Sequence, residues 1–236
     1  MSLVDPVVPP HSEHHHGDVS GGWLRAAVFG AMDGLVTNIA LIAGVGGGGV
    51  SPHAIVLTGA SGLVAGAISM ALGEYTSVRT QNEQLDHEVA KERAELQRHP
   101  EAEADELAQM WIARGLPAEL AHEVATTINN NLEEALRVHA QADLGLDPQE
   151  KPSPLVAAGS SFVCFSAGAL IPLLPYLLGA TELWPALTAG AVGLFVTGAL
   201  VSRFTIRPWW YNGLRQLAFG AVAAVATYLV GSLIGA

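Results

Sequence analysis

Residues 52–80, PHAIVLTGASGLVAGAISMALGEYTSVRT, stand next to residues 81–96, QNEQLDHEVAKERAEL, and the change of character between them decides the fold. The first stretch is long and apolar enough to cross a bilayer core of roughly 30 Å, which takes about 20 mostly apolar residues as a helix. The second is crowded with carboxylates. The contrast extends to the whole chain: Gln81 to Glu150 holds 16 Asp and Glu against 5 Lys and Arg, the remainder holds 6 of each, and the net charge of −11 therefore lies in that window. The flanks read as membrane and the window as a water-exposed domain whose carboxylates suit a polyvalent cation.

Composition agrees. Half the residues are apolar and 14% are charged, against about a quarter in soluble domains. One cysteine, Cys164, excludes an internal disulfide framework or a cysteine-based metal cluster within one chain. Residues 1–22 form a polar, His-rich tail with no basic region leading into an apolar run, so no cleavable signal peptide is expected. His11, His14, His15 and His16 could capture transition metals loosely or be a dispensable tail.

Five stretches qualify as spans: Trp23 to Gly46, Pro52 to Thr80, Pro154 to Leu178, Leu183 to Phe204 and Tyr211 to Ile234. The predicted organisation is a tail (1–22), two spans (23–80), an acidic helical domain (81–150) and three spans (151–236). Arg25, Arg79, Lys151, Arg203, Arg207 and Arg215 fall on one side of such a bundle and the opposite loops carry no Lys or Arg. The positive-inside rule then puts the N-terminus and acidic window in the cytoplasm and the C-terminus across the membrane. Trp209, Trp210 and Tyr211 read as an interfacial belt, and Gly30-x-x-x-Gly34 and Gly62-x-x-x-Gly66 as close-packing motifs.

Ionisable residues inside the spans carry the functional signal. A carboxylate at Asp33 costs several kcal/mol unless paired, hydrated or metal-bound. The plain alternative is an interfacial Asp33 paired with Arg25, two turns away. Thr37 and Asn38 add neutral oxygens nearby. Met70 and Glu74, four apart, share a helix face. A lone Met is usually packing filler; beside Asp33 and Glu74 its thioether shifts preference from Ca2+, Mg2+ or Mn2+ toward a softer ion such as Fe2+.

In the acidic window, Glu88, Glu92, Glu95 and His99 line one helical stripe with no basic lacing evident, and Glu103 and Glu106 recur after Pro100. The predicted domain has three helices: Gln84 to His99, one opening at Pro100, and one from Pro117 to Asp143 with Leu120, Val124, Ile128, Leu132 and Leu136 at helical spacing. A solvated acidic face is the competing reading. Glu119-Leu-Ala-His122 matches one Glu-x-x-His element of di-iron bundles, which need two.

The motifs Met32-Asp33-Gly-Leu-Val-Thr-Asn38, Gly62-Leu-Val-Ala-Gly-Ala-Ile-Ser-Met70-Ala-Leu-Gly-Glu74-Tyr75, Lys91-Glu92-Arg-Ala-Glu95-Leu and Pro100-Glu-Ala-Glu103 resemble the vacuolar iron transporter family. The resemblance implies an all-α, five-span homodimer with a cytoplasmic three-helix domain. It also implies export of Fe2+, and often Mn2+, from the cytosol in exchange for protons. By position, Asp33 and Met70 match the family's translocation path, and Glu92, Glu95, Glu103 and Glu106 its metal-binding pairs. His139 and Asp143 stand where the family uses methionines and a glutamate, a harder and more pH-sensitive set. Gly62 stands where some members carry an acid. No ferritin-like domain precedes the first span.

The expected function is therefore divalent-metal transport rather than catalysis. The path would hold Asp33, Met70, Glu74 and Asn38, and metal would be held at Glu88, Glu92, Glu95, Glu103, Glu106, His139 and Asp143. Lipid, divalent ions, protons and a second copy are the expected partners; no prosthetic group and no nucleic acid are expected. A bacterial inner membrane is the expected host, with an organelle membrane as the alternative. The rivals are a membrane-anchored di-metal carboxylate protein that oxidises or stores iron, and a metal sensor.

Overall fold

The computed structural model describes residues 22–145 and 151–235, so the N-terminal His cluster lies outside the described residues. Among the described residues eight α-helices follow one another: α1 (Gly22–Gly47), α2 (Pro52–Arg98), α3 (Pro100–Ala113), α4 (Ala118–Asn129), α5 (Leu132–Leu144), α6 (Pro154–Leu177), α7 (Leu183–Val201) and α8 (Trp209–Gly235). A 3₁₀ turn, Ser202–Phe204, closes α7. Helices α1, α2, α6, α7 and α8 are each long and apolar enough to cross a membrane, and the fold is all-α as expected.

Local chemistry sets the boundaries. Ser51 caps α2 by accepting a hydrogen bond from the Ala54 N–H, with Pro52 at the first helical position, and Ser153 and Pro154 repeat the device at α6. Gly49, at φ 71°, turns the chain between α1 and α2, a conformation that residues with a Cβ avoid.

Helix α1 is the hub of the bundle and packs against all four other spans, most extensively α6 and α8. Glycine permits this. A Cβ on Gly34 would strike the Phe165 carbonyl of α6, and one on Gly168 would strike the Ala31 carbonyl of α1. Gly231 of α8 likewise lies on the Gly44 carbonyl of α1. In lipid, where apolar burial drives little association, such backbone approach supplies the packing. Gly231→Val is expected to cost at least about 1–3 kcal/mol through overpacking against backbone that cannot rotate away. A lowered Tm in detergent would show it; an unchanged Tm would mean the helices do not cross there.

The acidic window differs from its predicted three helices in two places. The second span and the first predicted helix of the window are one helix: α2 runs 47 residues, about 70 Å at 1.5 Å per residue. It stops at Arg98 because Pro100 disfavours helix in the residue before it. The helix expected from Pro117 to Asp143 is instead two, broken at Asn130-Asn131, where the Asn131 side chain accepts from the Glu133 and Glu134 N–H groups and starts α5. Five apolar positions at helical spacing suggested continuity, but a capping Asn competes with the helical ladder for its own backbone. The break matters for packing. Helix α4 stays against α3 through Leu107, Ala108, Ala121 and Ala125, while α5 turns onto α2 through Leu96, Ala135 and Leu136.

The window is also laced by ion pairs, contrary to the sequence reading. Lys91 holds Glu88, Arg93 holds Glu133, Arg137 holds Glu134 and Lys151 holds Asp86.

Candidate metal site

Three side chains from three helices converge beside the rod of α2. Glu92 comes from α2, Glu103 from α3 and His139 from α5, and one ligand atom of each lies within 4.8 Å of the others. His139 Nδ1 sits 3.1 Å from Glu92 Oε1 and 3.6 Å from Glu103 Oε2. The imidazole is 1% exposed, and neither ring nitrogen makes a hydrogen bond among the described residues. A buried polar group in that state costs about 1–3 kcal/mol and calls for a reason. Two carboxylates facing one imidazole are a ligand set for a divalent transition ion.

The break at Asn130-Asn131 makes this possible. It lets α5 lie on α2, so that His139 meets Glu92 while Arg93, the next residue of α2, pairs with Glu133 at 2.7 Å on the outside. The Arg93 guanidinium holds the Glu133 carboxyl below its ordinary range.

The other acids predicted for the site stand apart from this trio. The Glu88 side chain is 44% exposed and bonded to Lys91 Nζ at 2.8 Å, which pulls its carboxyl down from the usual carboxylate range. Glu95 is exposed, with an oxygen 4.0 Å from His99 Nε2, and Glu106 is exposed on α3. The stripe of acids on α2 is thus split, and only Glu92 turns into the cluster. The side chain of Asp143 lies outside the described residues. His122 of the Glu-x-x-His element has Nδ1 3.4 Å from Asp105, both exposed, and is not in the trio.

Inside the bundle, Asp33 is half-buried and accepts a hydrogen bond from Thr37 Oγ1 at 3.4 Å. No Lys or Arg among the described residues pairs with it. Arg25, the guanidinium that could have neutralised Asp33, is bound instead to Glu74 at 2.8 Å. Glu74 is 7% exposed whereas the Arg25 side chain is 61% exposed, so the pair is anchored in the bundle and opens to the surface. Glu74, proposed from sequence as a path ligand, therefore has its carboxylate engaged in tying α2 to α1. The sequence reading offers Arg25 only to Asp33, on the same helix, whereas the acid it binds lies 49 residues away on α2. Exchanging the charges, Arg25→Glu with Glu74→Arg, is expected to restore most of the about 1–3 kcal/mol lost when either change alone leaves a buried group unsatisfied. Thermal unfolding of the three variants checks this, and a double variant no better than the singles would remove the anchoring role.

Met70, one turn deeper than Glu74, packs against Ala67, Phe165 and Ala169. Asn38 is buried, its Nδ2 donating to the Ala169 carbonyl just upstream of Pro172 in α6. Its Oδ1 accepts no hydrogen bond among the described residues and faces Gly59 and Gly62 of α2. A Cβ at Gly62 would strike Leu41 Cδ1, so an acid at this position would need Leu41 to move.

Comparison with known proteins gives the family. A model of the VIT family matches residues 24–232. The chain belongs to the VIT family. Similar relatives include a vacuolar iron transporter of Acanthamoeba castellanii, 36% identical over 84% of this chain and 76% of the relative. Vacuolar iron transporter 1 of Oryza sativa subsp. japonica is 32% identical over 97% of this chain and 93% of the relative. Its namesake of Arabidopsis thaliana is 29% identical over 95% and 90%. The VIT-family match spans all five membrane helices and the insert between α2 and α6, and it supports a membrane metal transporter.

Proposed function

We propose that this VIT-family chain exports Fe2+, and Mn2+ with it, from the cytosol in exchange for protons, as a homodimer with the N-terminus and the acidic insert on the cytosolic side. The observation that carries the reading is the buried imidazole of His139 held between Glu92 and Glu103 with no hydrogen bond to either nitrogen. Glu92 of the trio sits on α2, the helix that enters the membrane toward Met70, so captured metal has a continuous scaffold to follow. Asp33 supplies the intramembrane charge. A travelling cation neutralises it in one direction and a proton from the far side replaces the cation. No bond-making chemistry is needed.

The homodimer is supported by the lipid side of α1. Asp33 and Thr37 are four apart, and the stripe continues through Leu41, Gly44 and Gly48. These last residues, with Thr37, line an open apolar groove shared with Thr227, Val230 and Gly231 of α8. A second copy across this face would enclose Asp33.

Uptake into proteoliposomes with an acidic lumen tests the whole reading. Fe2+ is expected to accumulate, Mn2+ to compete, and collapse of the pH gradient to stop accumulation. Uptake indifferent to the gradient would remove proton exchange. Oxygen consumption on adding Fe2+, without flux, would replace the carrier by an iron-oxidising protein.

A further inference from the structure

The bases at the insert end of the bundle fall into two sets. Arg25 holds Glu74 and Arg79 holds Glu83, each at 2.8 Å, and Lys151 holds Asp86. Arg203, Arg207 and Arg215, around the turn from α7 to α8, form no ion pair and donate no hydrogen bond among the described residues. No Asp or Glu occurs from Leu183 to Ala236, so three positive charges stand unopposed in a chain whose net charge is −11.

The turn that carries them is built rather than loose. Asn212, 2% exposed, donates from Nδ2 to Thr205 Oγ1 at 2.9 Å, and Ser202 Oγ donates to the Ala199 carbonyl at 2.6 Å. Gly198 and Gly213 bring α7 and α8 into backbone contact directly beneath. The Arg207 guanidinium lies over the Tyr211 ring, 5.7 Å from its centroid. Phe204, Ile206, Trp209 and Trp210 are exposed around the arginines. Aromatic and aliphatic groups at such a rim belong at the boundary between acyl chains and headgroups. Guanidinium groups at the same level match phosphate oxygens through paired N–H donors.

We propose that the α7–α8 turn is a binding site for anionic phospholipid headgroups, with Arg203, Arg207 and Arg215 taking the phosphate and Ile206, Trp209 and Trp210 seated in the acyl boundary. Three unopposed cations favour a headgroup of net negative charge over a zwitterionic one, which brings its own ammonium. The site is separate from Glu92, Glu103 and His139, and its failure would leave the transport reading untouched.

The test is the Tm of the full chain in neutral detergent during titration with phosphatidylglycerol or phosphatidylcholine. The anionic lipid is expected to raise Tm and the zwitterionic lipid to leave it unchanged, with the response shrinking as salt screens the charges. Each arginine near such a surface contributes roughly fivefold in affinity, so R203Q/R207Q/R215Q should weaken the lipid about a hundredfold. Should the triple variant not fold, Arg207→Gln and Arg215→Gln should each show about a fivefold loss. An equal response to both lipids overturns the proposal, as does an undiminished response in the variants. Loss of self-association in the variants with the phosphatidylglycerol response intact also overturns it, and would assign the arginines to the acidic face of a second copy.

Discussion

Proteoliposomes carrying Asp33→Ala are expected to take up Fe2+ no faster than protein-free vesicles while the protein unfolds at the same Tm as the parent or above it. The two halves of this result belong together. A carboxylate at the centre of a bilayer costs about 2.5–3.5 kcal/mol on insertion scales, and alanine removes that cost. Asp33 holds no guanidinium in return, because Arg25 is bound to Glu74. A structural Asp33 would show the opposite pattern, a lower Tm with flux retained in the surviving protein. Asp33→Asn separates shape from charge: it keeps the size and the Thr37 contact, and it should be as inactive as the alanine variant. Uptake by either variant at the parental rate would take Asp33 out of the path.

The second large effect belongs to His139. His139→Leu is expected to weaken Fe2+ binding to the full chain by about a hundredfold or more, the range seen when a metal's supporting groups are removed and a floor for a ligand itself. It should leave Tm close to the parental value, because a leucine of comparable size fills the site and carries no nitrogen to leave unbonded. His139→Met is the informative partner. A thioether is a metal-capable donor softer than imidazole, so it should retain Fe2+ better than leucine while losing ground for Mn2+. Calorimetric titration of the purified full chain with each metal reads both changes. Parental affinity in His139→Leu would mean the carboxylates bind without the imidazole, and the cluster would lose its central member.

Much of the architecture was legible because lipid imposes simple rules. Five apolar runs, short connections between them and one acidic window are read by counting, and the ends of α2 and α6 announce themselves through Ser-Pro caps. The internal layout of the window was harder. Leu120, Val124, Ile128, Leu132 and Leu136 share a spacing that a single helix would satisfy, yet Leu120 is exposed while Leu136 is buried. Asn129-Asn130-Asn131 was the available signal for the break, since a run of Asn offers both an N-cap and backbone-competing side chains. The candidate site was half legible. Glu92, Glu103 and His139 were all named from sequence, but so were Glu88, Glu95 and Glu106, and spacing along one helix cannot tell an acid facing a neighbouring helix from one facing water. Lys91 decided it for Glu88.

The chain alone determined what each segment must avoid: twenty-odd apolar residues avoid water, and sixteen carboxylates within seventy residues avoid lipid. Those preferences are local and additive, so they survive without coordinates. Which charges meet was decided only in three dimensions. The choice of Glu74 over Asp33 by Arg25, and of Glu92 and Glu103 as the neighbours of His139, depends on how helices cross and rotate. Crossing is governed by contacts such as Gly34 on Phe165 and Ala135 on the face of α2. Ion pairs and metal sites require approach to within a few ångströms, and residues on different helices, such as Arg25 and Glu74 or Glu103 and His139, reach that distance only after the helices have packed.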